Sequence, residues 1–177
     1  IKELLYLCSN FKLYMVMQLI GRSKEVSLLQ SYVDSQQAEF IAIYGRRRVG
    51  KTFLISNIFA DMIVFETSGI IHGSSEDQFA AFNHSLRKIG YTGPYARTWM
   101  EAFFSLEQAL TPKLNSNKRQ VIFIDELPCL DVRSTRFVVA LGHFWNSWVS
   151  KHKNLMLVVC GSATSWMVDN IVNNHGG

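Results

Sequence analysis

Two hydrophobic patterns alternate along the chain. Short continuous apolar runs occupy Phe40–Tyr44, Met62–Phe65, Val121–Ile124 and Leu155–Cys160. Phe40–Tyr44, Val121–Ile124 and Leu155–Cys160 match strands buried on both faces of a parallel sheet, and Met62–Phe65 is a further strand candidate. Between them, apolar positions recur at helical spacing: 26, 29 and 33; 54/58 and 55/59; Phe79, Phe82, Leu86 and Ile89; Trp99, Phe103, Leu106 and Leu110; Phe137, Leu141, Phe144, Trp145 and Trp148. Each reads as one apolar helix face. Ser162–Asp169 is expected to turn into a further short helix.

Punctuation agrees with this parse. Ser75-Glu76-Asp77-Gln78 has capping-box spacing, Gly90 and Gly93-Pro94 stop that helix, and Pro112 closes the next. Ser134 is placed to cap the helix that begins near Phe137, and the polar stretch 115–119 is a loop. Strands alternating with helices, without repeats, give an α/β fold of three layers with a parallel sheet between helices.

Composition narrows the class. The 177 residues fit one domain; 48% hydrophobic and 18% charged residues are ordinary for a globular chain. A net charge of +4 permits a nucleic-acid partner without demanding one. Cys8, Cys129 and Cys160 are odd in number and lack metal-ligand spacing, which suits free thiols in a reducing, cytoplasmic setting. Leu13–Ile20, bounded by Lys12 and Arg22, is too short to span a bilayer, so no membrane partner is expected. Met15 or Met17 would serve as a start, so residues 1–14 are read as a prefix of uncertain status and residues 15–177 as the domain. The ending at Gly176-Gly177 reads as a truncation that omits the last strand.

The chemistry sits at strand ends. Gly45-Arg46-Arg47-Arg48-Val49-Gly50-Lys51-Thr52 is Gly-x-x-x-x-Gly-Lys-Thr between a strand and a helix. This pattern turns successive backbone N–H groups toward phosphate and adds the positive helix end. Lys51 would reach the terminal phosphates and the Thr52 hydroxyl would bind Mg²⁺. The three arginines suit solvated or structural roles better than a transition-state finger. Asp125-Glu126 ends the clearest strand. Asp125 would hold the Mg²⁺ shell and Glu126 would orient or deprotonate the attacking water. Ser162 ends the following strand. It either contacts the γ-phosphate or attacking water, or caps the next helix. His72 reads as an ordinary loop residue, and Trp145 and Trp148 as core.

Leu19-Ile20-Gly21-Arg22-Ser23-Lys24-Glu25, Tyr44–Thr52, Ile122–Pro128 and Cys160–Ala163 together resemble the archaeal-type ATPase family, P-loop proteins near the STAND and AAA+ NTPases. The likeness covers about residues 15 to 177. It implies a P-loop NTPase of the additional-strand, catalytic-glutamate type with ATP and Mg²⁺ as cofactors. It also implies that Ile20, Gly21 and Arg22 line the adenine end and that Ser162 is the sensor position. Such proteins continue with an arginine-bearing segment, a further strand and a helical or winged-helix region. DNA or protein partners bound through that region, and a homo-oligomer, are therefore compatible with the reading.

The leading expectation is an Mg-dependent ATPase with Glu126 as the residue that activates the attacking water. The alternative is a slowly hydrolysing nucleotide-gated switch acting on protein or DNA. A GTPase is disfavoured because Asn117-Lys118-Arg119-Gln120 lacks the base-reading acid, and a kinase because the Asp-Glu pair favours water as acceptor.

Overall fold

Helix and strand alternate through residues 22–115 and 118–173, the parts of the chain described in the computed structural model. The order is α1 (Ser23–Asp34), β1 (Glu39–Tyr44), α2 (Lys51–Ile58), β2 (Ile63–Ser68), α3 (Ser75–Lys88), α4 (Trp99–Leu110), β3 (Gln120–Asp125), α5 (Phe137–Ser147), β4 (Leu155–Gly161) and α6 (Thr164–Met167). Short helical turns follow α4, β3, α5 and α6. All strand pairs are parallel, in the order β1-β4-β3-β2.

Alternation within the two central strands builds two cores. Val121 and Phe123 of β3, with Met156, Val158 and Cys160 of β4, face α1 and α2. Ile122 and Ile124, with Leu155, Leu157 and Val159, face α3, α4 and α5. Every residue of β4 is buried, as a period-two strand covered on both sides requires. Three layers result, as the apolar pattern predicts.

Four details differ from the expectations. Phe40–Tyr44 is not buried on both faces: only Ile41 is fully buried, and Tyr44 is 42% exposed. Among the described residues β1 pairs on one side only, with β4, and the other side borders a cavity of about 550 Å³ shared with α1. The capping box is set one residue earlier than Ser75. Ser74 Oγ accepts from the Asp77 amide (3.2 Å), and Asp77 Oδ2 accepts from the Ser74 amide (2.9 Å). Gln78 instead is fully buried and clasps Ile70, accepting from its N–H and donating to its carbonyl, both at 2.8 Å. Ser134 does not cap α5. Its backbone is left-handed (φ 73°), whereas a cap needs an extended one, and Arg136 takes the N-cap position without a side-chain bond.

Trp145 and Trp148 pack against the core, Trp145 on Phe40 at 5.2 Å and Trp148 stacked on Phe144 at 5.5 Å. In the polar loop, Arg119 donates to the carbonyls of Tyr32, Gln37 and Lys153, joining α1 to the loops that lead into β1 and β4.

Candidate functional site

Strand order decides which side chains meet. β4 lies between β1 and β3, with Tyr44 paired to Gly161 and Ile124 to Val159, so all three strands end at one level. The loop after β1, the acidic pair after β3 and Ser162 after β4 therefore share one rim, the carboxyl edge where open α/β sheets bind ligands.

The loop turns into α2 through Gly50, whose φ of 80° suits a residue without Cβ. No side chain caps α2, leaving its first-turn N–H groups open toward the rim. Lys51 Nζ donates to the carbonyls of Gly45 and Arg46, both at 2.9 Å, so its ammonium lies across the loop's mouth. Arg22 donates to the Val49 carbonyl, tying α1's start to the loop. Arg46, Arg47, Arg48 and Val49 are exposed. Ile20 and Gly21, the other expected adenine-side residues, lie outside the described residues.

Thr52 Oγ1 donates to Asp125 Oδ2 at 2.7 Å, joining α2 to β3. Asp125 Oδ1 accepts from the Glu126 amide at 2.8 Å. Glu126 sits at φ 43°, ψ 44°, a left-handed backbone that costs a non-glycine residue energy and is found disproportionately at functional sites. Its Oε2 accepts from Ser162 Oγ at 3.0 Å, and Ser162 accepts from Arg47 Nε at 3.2 Å. Of the two roles open to Ser162, helix capping is not made: Ala163 is the N-cap of α6 and no side chain bonds there.

Electrostatics follow from burial beneath the rim. Burial raises the Cys160 thiol to about 12, with Asp125 adding in the same direction and Lys51 opposing. Burial also raises Cys129, helped by Glu126 and opposed by Arg47. Both thiols are free. His72 is exposed, in a left-handed turn (φ 59°).

Two features escaped the sequence. The Arg47–Ser162 bond links positions 115 apart, and no local pattern announces it. The Gln78 clasp left a faint trace: a glutamine four residues before Phe82 on the apolar face of α3. The clasp holds the loop that starts at Gly69, whose amide donates to the Asp125 carbonyl at 3.0 Å.

The donor set fits a phosphate and a hard cation. Thr52 and Asp125 offer two oxygens in contact, whereas no cluster of three or more His, Cys, Asp or Glu among the described residues could hold a metal alone. Mg²⁺ is characteristically bound in that way, through few protein oxygens plus phosphate and water.

The parallel sheet, the glycine loop opening a helix and the strand-end acids define an α/β P-loop ATPase-type domain. Residues 19–176 match the ATPase domain predominantly from Archaea, and the chain belongs to that family. An uncharacterized protein of Methanocaldococcus jannaschii is 30% identical over 155 residues, covering 87% of this chain and 32% of the relative. The chain thus spans about a third of that relative's length. Among solved structures, Drosophila ORC bound to DNA matches with a TM-score of 0.55 at 16% identity, covering 84% of this chain and 39% of that one. The Aeropyrum pernix ORC2 protein, in ADPNP–ADP complexes, matches at 0.53 and 16%, covering 87% and 45%. At these identities the two structures speak for the fold alone. No helix among the described residues is long and apolar enough to cross a membrane.

Proposed function

We propose that this domain binds ATP with Mg²⁺ at Gly45–Thr52 and hydrolyses the γ-phosphate bond with a water held by Glu126. The observation that carries the reading is the Thr52–Asp125 contact at 2.7 Å, which brings the helix after the phosphate loop onto the strand bearing the acids. Triphosphate would lie over the open N-terminus of α2, its charge met by first-turn amides and Lys51. Arg22 and Val49, which line the cavity of about 550 Å³, would border the base with Ile20 and Gly21. Thr52 and Asp125 would hold Mg²⁺, which when bound offsets phosphate charge. Glu126 would take the water's proton as oxygen attacks phosphorus and ADP leaves. Ser162, bonded to Glu126, would steady that water or the γ-phosphate.

The likeness to Drosophila ORC bound to DNA, and a relative about three times as long as the chain, support coupling of this cycle to DNA or protein, and a homo-oligomer is compatible with it. The domain reading places residues 15–177 in one ATPase unit.

The test pairs two substitutions. Lys51→Ala is expected to abolish binding of a fluorescent ATP analogue. Glu126→Gln is expected to bind it like the native chain while losing at least about a hundredfold in phosphate release. Equal turnover by native and glutamine proteins would refute the assignment.

A further inference from the structure

Arg47 is the point at which the phosphate loop touches the far strand ends. Its Nε lies 3.2 Å from Ser162 Oγ, which lies 3.0 Å from Glu126 Oε2. A guanidinium has no acceptor, so Ser162 must accept from Arg47. A serine hydroxyl has one proton, and here it is directed at Glu126. The two bonds therefore have a fixed direction. With the Glu126 amide on Asp125 and Thr52 on Asp125, they close a circuit that begins and ends in the loop–helix segment.

Glu126 needs that circuit. Its carboxylate is half-buried, its backbone is left-handed, and Ser162 is the side chain that holds it. Ser162 can itself rotate about χ1. On the reading of this site as an ATPase centre, we infer that Arg47 is a positioning residue: through Ser162 it selects the Glu126 rotamer used in turnover. It does so with its N–H donor rather than its charge. A single hydrogen bond of net worth near the usual value biases rotamer populations roughly five- to tenfold, and kcat should scale with that population.

The test separates donor from charge. Arg47→Gln keeps an N–H group the same number of bonds from Cα as arginine Nε but removes the charge. Arg47→Met removes both. Arg47→Met is expected to lower kcat roughly five- to tenfold, with KM changed less than about twofold, and Arg47→Gln to recover most of that loss. Arg47→Met combined with Ser162→Ala should be no slower than Ser162→Ala alone. Equal losses in the glutamine and methionine variants would overturn the inference, because charge would then be the active property. A rise in KM alone, or no change in kcat for Arg47→Met, would overturn it too. A second measurement needs no turnover: the Arg47 Nε–H resonance in ¹⁵N spectra of the nucleotide-free protein. It should shift and exchange faster in Ser162→Ala, and an unmoved signal sinks the relay. Glu126→Gln, run alongside, tells the two failures apart. If it hydrolyses ATP normally, the assignment of Glu126 as the residue that activates water has failed; if it is inactive while the Arg47 variants misbehave, only the relay has.

Discussion

The two faces of the sheet are built from different material. Toward α3, α4 and α5 the core is aromatic: Phe103 stacks on Phe144 (4.8 Å, 17°), and Trp99 meets Phe137 edge-on (4.9 Å, 76°). Toward α1 and α2 it is mostly aliphatic, with Leu29, Leu54 and Ile55 beside Phe59 and Phe123. Interlocked rings hold a face more firmly than aliphatic contact of the same area. The heavier face braces Ile124 and Leu127, immediate neighbours of Asp125 and Glu126, while α2 on the lighter face follows the phosphate loop. Stiffness and access are thus divided between the faces.

That division can be broken by experiment. Phe103→Ala should cost about 3–5 kcal/mol in denaturant unfolding, yet leave nucleotide affinity intact below the unfolding transition. Leu54→Ala, on α2, should cost about 2–5 kcal/mol and also weaken nucleotide binding. Equal effects on affinity would erase the contrast.

A smaller effect sharpens it. Cys160 lies on the lighter face beneath the rim, its thiol raised to about 12. Below about pH 9 both folded and unfolded chains keep this proton; between there and the folded value only the folded chain does. The unfolded state then binds fewer protons, so stability falls as pH rises across this window, by at most about 1.4 kcal/mol per unit. Cys160→Ala should lack that slope. Denaturant titrations of both proteins at several alkaline pH values check this, since other titrating groups cancel in the difference.

The smallest concerns α3 on the heavier face. Ser74→Ala should cost about 1 kcal/mol, whereas Ser75→Ala should stay within about 0.5 kcal/mol. A larger loss at Ser75 would restore the capping box expected from sequence.

Much of the fold is legible in the sequence because its signals are local. Val121–Ile124 and Leu155–Cys160 announce central strands, and Gly45–Thr52 carries its own flanking context. What fails depends on neighbours that sequence does not display. Phe40–Tyr44 is as apolar as a central strand but lies at the border of the described sheet. Ser75 and Ser74 are equal candidates until backbone angles choose between them. At the site, the residue types and strand-end positions are readable, and the fold puts Thr52 against Asp125 and Ser162 against Glu126. Arg47's contact is different. Its partner is set by the position of β4 in the sheet, and three consecutive arginines give no hint which one reaches Ser162.

Gly161 carries a quieter lesson. An added Cβ there would lie 2.6 Å from Met167 Sδ and 2.9 Å from Pro128 Cδ, so even alanine would shove the chain just before Ser162. A methyl group that never meets nucleotide would still dislodge the serine that does the steering. Position 161 thus bears on the site without touching it, and a search for functional residues that looked only at ligand contacts would overlook it.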